Sequence, residues 1–415
     1  MTKQIKKNFV WNFVGSTLNS TTSLFFLIIV TRINGIKEAG IFTFAFSTAC
    51  LLQVIGTYYG RAYQVTEMKD EFTDNDFLYS RFFSCGAMLL FAVLFSLIKE
   101  YALYKILVII LLVFYKIIEA FSESVYAIIQ KNNDLYKVGI SLFLKGLLGL
   151  FIFLALDLIF SNLIISIIGL IFINLFMFVF YDIKNVKMYN YVKSDFDLWK
   201  IKSIFKNGFY TFVFTFLTQY VINAPRYAID NNLGEKYQTI FGIIIMPATL
   251  FILCGQFMIH PFLVTLTNDL KEKNYAAFSK LVFKIVFYVL IIGIFVTIVA
   301  YFIGIPFLEL VYGISLKKYL KSLVIIIIGA TMFGMSYIIS NALITMRKTM
   351  IQSIIFTIGS IFVYFVSNKL VFIKQIEGAS ISYFLVMSLI LVMYIVVFSL
   401  EIIKYSKKEV KKNEK

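Results

Sequence analysis

Apolar runs of about 20 residues, separated by short polar segments, recur along the whole chain. A run of that length crosses the roughly 30 Å core of a bilayer as an α-helix. Strands of membrane barrels are only about 9–11 residues long, so the pattern excludes that class. We predict twelve membrane-spanning helices, at residues 9–33, 39–60, 78–98, 103–129, 138–159, 162–182, 208–230, 239–264, 281–303, 320–345, 350–372 and 379–403.

The seventh span carries a polar stripe on one helix face, because its polar residues recur every three or four positions. A charged side chain that faces lipid costs several kcal/mol, so the two charges of the stripe indicate a transport pathway. The uncharged members fit a buried contact between helices equally well. The stripe consists of Thr211, Thr215, Gln219, Asn223, Arg226 and Asp230.

An internal repeat is suggested by a shift of 199 residues. The shift aligns a polar stripe of span 1 (Asn12, Ser16, Asn19, Ser20, Ser23) with that of span 7, and it aligns Gly35 with Gly234. It predicts two parallel repeats of six helices, with spans 1 and 7 facing a central cavity. The predicted domains are an N-terminal bundle (1–182), a cytoplasmic amphipathic linker (183–207), a C-terminal bundle (208–403) and a basic tail (404–415).

Composition supports an all-α integral membrane protein, since 60% of the 415 residues are hydrophobic and only 15% are charged. The net charge of +16 reflects lysines at one membrane face rather than nucleic-acid binding. Segments on the side of the N-terminus carry 25 of the 39 Lys and Arg residues, and the opposite side carries 11. The positive-inside rule therefore predicts that both termini are cytoplasmic.

Charges within spans are the candidate chemistry. Lys116, Glu119 and Glu123 share one face of span 4, and Lys145 lies inside span 5. Lys116 and Glu119 could neutralise each other, or a surplus cation could face an anionic substrate while Glu119 or Glu123 binds a coupling ion. The guanidinium forks of Arg32, Arg61, Arg81 and Arg226 suit phosphate, although snorkelling to the interface is the alternative for the first three.

No enzymatic or metal-binding pattern is present. The sequence lacks a Walker-type phosphate loop, a nucleophile elbow and a zinc-protease helix. His260 is the only histidine, and the three cysteines have unrelated spacings, so neither a metal site nor a disulfide framework is predicted. We therefore predict a non-enzymatic protein without a cofactor.

Five segments resemble the Wzx-type polysaccharide repeat-unit flippases of the multidrug/oligosaccharidyl-lipid/polysaccharide (MOP) exporter superfamily. They are Lys6–Gly15 (KKNFVWNFVG), Arg32–Phe42 (RINGIKEAGIF), Ala224–Asp230 (APRYAID), Gln238–Phe241 (QTIF) and Met246-Pro247. The resemblance covers nearly the whole chain through loose motifs. Twelve spans differ from the fourteen typical of lipid II flippases, and span 1 lacks the carboxylate that multidrug (MATE) relatives often use, which favours the polysaccharide branch.

The resemblance implies a MATE/MurJ-like pair of six-helix bundles in the bacterial inner membrane, with a cationic cavity. The implied substrate is an undecaprenyl-pyrophosphate-linked oligosaccharide, moved from the cytoplasmic to the outer leaflet by alternating access for lipopolysaccharide or capsule assembly. Implied partners are this glycan, membrane lipids and the polysaccharide polymerase or ligase machinery. Candidate substrate contacts are Arg226, Arg61, Arg32, Lys145, Asn12, Asn19, Gln219 and Asn223, and candidate groups for a coupling ion, Na+ or H+, are Glu119, Glu123 and Asp230.

Two other functions remain open at this stage. An ion-coupled multidrug exporter would need an acidic cavity for cationic drugs, whereas cations outnumber carboxylates within the spans. A scaffold for the polysaccharide machinery could use the basic inner surface but would leave the paired polar stripes without a purpose.

Overall fold

Helices form all the regular secondary structure of the described residues, which are 3–58, 60–66, 71–189, 195–259, 262–346 and 348–413 of a computed structural model. The chain divides into Met1–Phe216 (unit 1) and Leu217–Lys415 (unit 2). Unit 1 contains α1 (Lys3–Ile33), α2 (Ile36–Thr57), α3 (Gly60–Thr66), α4 (Asp74–Ile98), α5 (Leu103–Lys131), α6 (Leu135–Phe160), α7 (Leu163–Met177) and α8 (Ile183–Val186).

Helix α9 (Leu198–Asn232) begins in unit 1 and continues into unit 2. Unit 2 further contains α10 (Glu235–Ile244), α11 (Met246–Ile259), α12 (Leu263–Lys271), α13 (Tyr275–Val299), α14 (Ile305–Tyr312), α15 (Leu320–Thr345) and α16 (Thr349–Asn413). Gln375 has a non-helical backbone and divides α16 between the last two predicted spans.

Eight helical segments within the described residues are long and apolar enough to cross a membrane. Two of them are 38 and 56 residues long, at Tyr275–Tyr312 and Met350–Tyr405. The chain is therefore a multi-pass, all-α membrane protein, as predicted. The count of twelve spans and the bounds of the four predicted domains remain predictions.

Close backbone contact between α1 and α6 organises unit 1. A Cβ atom added at Gly15 would lie 2.0 Å from the carbonyl oxygen of Gly139, and one added at Gly139 would lie 2.3 Å from the backbone of Trp11. Small residues allow helices to approach closely in a membrane, where van der Waals packing rather than the hydrophobic effect holds them together. The side chain of Phe151 on α6, by contrast, is exposed.

The turn between α5 and α6 fastens the first turns of α1. Asn8 donates to the carbonyl of Asn133 at 2.7 Å and accepts from the backbone N–H of Tyr136 at 3.0 Å. Gln4 donates to the Asp134 carboxylate at 3.0 Å. Burial acts to raise the pKa of Asp134, but hydrogen bonds from Lys137 and Tyr189 outweigh it and hold that pKa below its usual range.

The same turn occurs in both units at a separation of 199 residues. In unit 1 the N–H groups of Asn34 and Gly35 both donate to the Val30 carbonyl, and in unit 2 those of Leu233 and Gly234 both donate to the Ile229 carbonyl. Gly35 has φ 89° and ψ 177°, and Gly234 has φ 117° and ψ −179°. Only glycine adopts this region readily. The repeat predicted from sequence thus has matching local geometry.

Candidate functional site

Polar side chains line one face of α5 because they recur at intervals of three and four residues. The face contains Lys116, Glu119, Glu123, Tyr126 and Gln130. Side chains from α2, α3, α6 and the end of the α7 segment contact it, so several predicted site residues come together here. We call this group of residues and their partners the α5 cluster.

Lys145 on α6 lies at the most buried part of the α5 cluster. Its ammonium group donates to the Asp182 carboxylate at 2.6 Å, to Ser122 Oγ at 2.8 Å and to the Tyr126 hydroxyl at 3.0 Å. Ser141 also donates to Asp182, at 2.6 Å. Every donor of the ammonium group therefore has an acceptor within the bundle. Lys145 can reach a substrate only by giving up one of these bonds.

Asp182 is the last residue of predicted span 6, and sequence analysis did not single it out as a site residue. A π-helical turn, Phe178–Asp182, follows α7, and the Asp182 side chain is fully buried. The π turn widens the helix by one residue and thereby directs the carboxylate inward toward Lys145. The run of apolar residues before Asp182 gave no signal of this pairing, because it depends on a neighbouring helix.

Lys116 and Glu119 form the ion pair that their spacing allowed, with 2.7 Å between Nζ and Oε2. Gln53 on α2 donates to the same carboxylate oxygen at 3.1 Å. The ammonium of Lys116 lies 4.9 Å from the ring centroids of both Phe46 and Tyr115, which is cation–π range. Both charges are thus satisfied within unit 1, as the self-neutralising interpretation requires.

Arg81 does not snorkel, contrary to one expectation, but is buried between α2, α4 and α5. It donates to the carbonyls of Gly56 and Thr57 at the end of α2 and to Ser124 Oγ on α5 at 2.7 Å. A cation at a helix C-terminus is favourable because the last carbonyls lack partners and carry partial negative charge. Arg81 therefore stabilises the end of α2.

Arg61 and Glu123 lie at the more exposed end of the α5 cluster. Arg61 Nε donates to Gln130 Oε1 at 2.8 Å, and the guanidinium carbon lies 5.8 Å from the centre of the Tyr126 ring. The Arg61–Glu123 separation is 3.9 Å, and the two side chains are 19% and 34% exposed. This is the part of the cluster that a ligand can reach with the least rearrangement.

The remaining predicted contacts of unit 1 lie on α1. Asn12 and Asn19 are half-buried, and Arg32 is exposed in the last turn of the helix. Asp157, near the end of α6, is fully buried and accepts hydrogen bonds from Asn34 and Ser166 at 3.1 and 3.0 Å.

The predicted residues of unit 2 lie on α9 around a proline inside the helix, Pro225, which removes a backbone hydrogen bond. Asn223 is buried and donates to the Gln219 carbonyl at 2.9 Å, while Asp230 is half-buried. Arg226 is buried, with its guanidinium carbon 5.7 Å from the centre of the Phe241 ring.

Gln238 on α10 fixes the backbone beside this arginine by donating to the Arg226 carbonyl at 2.6 Å. Of the residues that sequence analysis singled out, His260 lies outside the described residues. Within those residues, no group of three or more His, Cys, Asp or Glu side chains could hold a metal ion. Whether Arg226 and the stripe face a common cavity with α1 stays a prediction.

No protein-family profile matches the chain. Solved structures of transporters and a protein of similar sequence do resemble it. The inward-facing structure of a multidrug-resistance MATE transporter of the MOP superfamily has a TM-score of 0.73 at 13% identity, covering 95% of this chain and 99% of that one. The inward-closed lipid II flippase MurJ has a TM-score of 0.73 at 14% identity, covering 97% and 91%. The chain has the MOP transporter fold.

One protein is also similar to this chain in sequence. The capsular polysaccharide biosynthesis protein CapF of Staphylococcus aureus is 25% identical over 338 residues, which cover 81% of this chain and 83% of CapF. The similarity to CapF and to the two MOP structures agrees with the resemblance of the sequence to Wzx-type flippases. The predicted all-helical fold of MATE and MurJ type is likewise confirmed.

Proposed function

We propose that this protein translocates undecaprenyl-pyrophosphate-linked oligosaccharide repeat units from the inner to the outer leaflet of the bacterial plasma membrane. The observation that carries the proposal is the similarity to CapF over most of both chains, because CapF is a capsular polysaccharide biosynthesis protein. The MOP fold supports movement of a lipid-linked substrate by alternating access, since the lipid II flippase MurJ has the same fold. Both termini would be cytoplasmic, where the basic tail could contact polymerase or ligase proteins.

The proposed contacts follow from the chemistry of the substrate. Arginine forks bind phosphate oxygens in pairs, so Arg226, Arg61 and Arg32 are assigned to the pyrophosphate. Amide side chains exchange hydrogen bonds with sugar hydroxyls, which assigns Asn12, Asn19, Gln219 and Asn223 to the glycan. Lys145 remains a further candidate contact, although its bonds to Asp182, Ser122 and Tyr126 oppose that role. Glu119, Glu123 and Asp230 are the candidate carboxylates for Na+ or H+ coupling.

Arg226 is the sharpest test of this assignment. Within the described residues of unit 2 it is the only buried side chain among Lys, Arg, Asp and Glu. Placing a charge at membrane depth costs several kcal/mol, and function rather than packing usually accounts for it. We expect Arg226→Gln to abolish translocation while the protein remains in the membrane at normal abundance.

The experiment deletes the gene and measures both the lipid-linked oligosaccharide of the inner leaflet and the surface polysaccharide. Accumulation inside and loss outside, restored by the wild type and by the control Lys321→Gln but not by Arg226→Gln, is the expected result. Lys321 is a suitable control because its side chain is 71% exposed. Restoration by Arg226→Gln would remove Arg226 from the binding site.

An ion-coupled exporter of cationic drugs is the competing function, since the matched structures include MATE transporters. The sequence of α1 contains no Asp or Glu, which disfavours a cation site on that helix. Unchanged surface polysaccharide combined with new sensitivity to cationic dyes in the deletion strain would favour the exporter over the flippase.

A further inference from the structure

The Arg61–Glu123 pair differs from the other ion pairs of the α5 cluster in its geometry. Its closest nitrogen–oxygen distance is 3.9 Å, compared with 2.7 Å for Lys116–Glu119 and 2.6 Å for Lys145–Asp182. A separation of 3.9 Å is an ion pair without a hydrogen bond. Its two side chains are also the most exposed of the three pairs, so solvent screens their attraction. Arg61–Glu123 is thus the weakest pair in the cluster.

Arg61 keeps its position without Glu123, because other groups hold it. Gln130 Oε1 accepts its Nε–H at 2.8 Å, and the Tyr126 ring lies 5.8 Å from the guanidinium carbon. Tyr126 is itself fixed by Lys145 at 3.0 Å and by Ser141 at 2.9 Å. The Nη groups of Arg61 therefore point from a pre-organised support toward the carboxylate of Glu123.

The other charged groups around Glu123 are Arg81 on α4, Lys145 on α6 and Glu119 on α5 itself. Arg81 donates to the end of α2 and to Ser124, Lys145 donates to Asp182, and Glu119 accepts from Lys116. Neither Arg81 nor Lys145 can pair with Glu123 without breaking a shorter contact, and Glu119 carries the same charge as Glu123. When a ligand displaces Glu123 from Arg61, the carboxylate is left half-buried beside Glu119, and taking up a proton relieves its charge.

We infer that Glu123 is an internal competitor for the substrate pyrophosphate at Arg61. Without substrate, the Glu123 carboxylate occupies the guanidinium; on binding, a phosphate oxygen replaces it and Glu123 takes up a proton from solvent. This inference rests on the proposed function, since it assumes a pyrophosphate-bearing substrate. It assigns Arg61 to the headgroup and Glu123 to the release of that headgroup.

The competition has a definite pH dependence. Lower pH protonates Glu123, frees Arg61 and tightens binding, whereas higher pH restores the carboxylate and weakens binding. The pyrophosphate also titrates in this range, but its contribution is common to all variants. The difference between wild type and Glu123→Gln therefore isolates the carboxylate.

The test measures binding of undecaprenyl pyrophosphate, without sugars, to the purified full-length protein in nanodiscs across mildly acidic to mildly alkaline pH. Glu123→Gln is expected to bind about fivefold more tightly than wild type at alkaline pH and equally at acidic pH, as removal of a pair worth about 1 kcal/mol implies. Arg61→Gln is expected to bind about tenfold more weakly. In the double variant the Glu123→Gln substitution should have no further effect.

Glu377→Gln is the matched control, because Glu377 also belongs to an ion pair and its side chain is 35% exposed, close to the 34% of Glu123. It should bind like wild type at every pH. Thermal unfolding of each variant shows whether a loss of binding reflects loss of fold, and Arg61→Lys, which keeps the charge, replaces Arg61→Gln if the latter unfolds.

The outcomes distinguish a failure of the proposed competition from a failure of the proposed function. Wild-type binding of undecaprenyl pyrophosphate with an unchanged pH profile in Glu123→Gln overturns the competition and leaves the flippase proposal intact. The same holds if Glu123→Gln tightens binding equally with and without Arg61. Absence of wild-type binding at every pH overturns the proposed substrate, and the competition with it.

Discussion

Nine Lys, Arg, Asp and Glu side chains are buried among the described residues, and eight of them belong to unit 1. In unit 1 the charges of Lys116–Glu119 and Lys145–Asp182 compensate each other inside the helix bundle. In unit 2 the buried polar contacts between α15 and α16 are neutral, as between Ser340 and Gln352. One described ion pair of unit 2, Lys348–Glu401, joins the residue just before α16 to that helix.

The two units therefore share the backbone geometry of the glycine turn but differ in the charge of their buried side chains. Both contain the glycine turn at Gly35 and Gly234, and among the described contacts the ion pairs Lys116–Glu119 and Lys145–Asp182 lie in the interior of unit 1. Buried ion pairs fix the rotation and register of a helix, because a misplaced charge in an apolar interior is costly. A neutral interior lets helices slide past each other more readily. Among the described residues of unit 2, Arg226 is the one buried charge.

The largest expected effect tests the ion pairs of unit 1. Asp182→Asn leaves the Lys145 ammonium buried without its counter-charge, so it should destabilise the protein by about 3–5 kcal/mol. Thermal unfolding in detergent, followed by intrinsic fluorescence, measures the change. The surface variant Glu377→Gln should stay near wild type. If Asp182→Asn unfolds at the wild-type temperature, the buried pair does not stabilise unit 1.

The second-largest expected effect tests the glycine turn that the two units share. Gly35→Ala and Gly234→Ala should each cost about 2 kcal/mol, because both backbones occupy a region that side chains avoid. Gly86→Ala is the control, since a Cβ atom there meets nothing within 4 Å and α4 should gain about 0.5–1 kcal/mol. Clearly unequal losses at Gly35 and Gly234 would argue against equivalent turns.

A smaller effect is expected for the neutral interior of unit 2. Gln352 accepts from Ser340 at 2.6 Å and from Tyr394 at 3.2 Å, so Gln352→Leu leaves two hydroxyl groups without an acceptor. We expect a loss of about 1–2 kcal/mol in the same unfolding measurement, with Leu400→Ala on the exposed face of α16 as the control. A loss as large as that of Asp182→Asn would remove the contrast between the units.

The smallest effect concerns the Lys348–Glu401 pair of unit 2, whose closest atoms are 3.0 Å apart. The hydrogen bond to Glu401 raises the pKa of Lys348 above its usual value. The stabilisation is therefore complete below the ordinary lysine pKa and is lost as pH rises through the raised one. Lys348→Gln should cost about 0.5 kcal/mol at neutral pH, and unfolding curves of wild type and variant should converge in strongly alkaline buffer.

Sequence alone determined the class of the protein. The length and spacing of apolar runs predicted a multi-pass all-α membrane protein, and the shift of 199 residues aligned Gly35 with Gly234, which form the same turn in the two units. The shared face of Lys116, Glu119 and Glu123 was equally readable, because helical periodicity is a property of one segment. Hydrophobic length and helix period are local, so they do not depend on how helices pack.

Tertiary structure alone decided which charges meet. Lys145 and Asp182 come from different helices. A π turn directs Asp182 inward, and no sequence pattern predicted that turn. Phosphate binding or snorkelling to the interface was predicted for Arg81, but its position next to the last carbonyls of α2 buries it. Partner choice depends on the rotation and axial register of neighbouring helices, which many weak contacts set together and which the sequence of a single span does not contain.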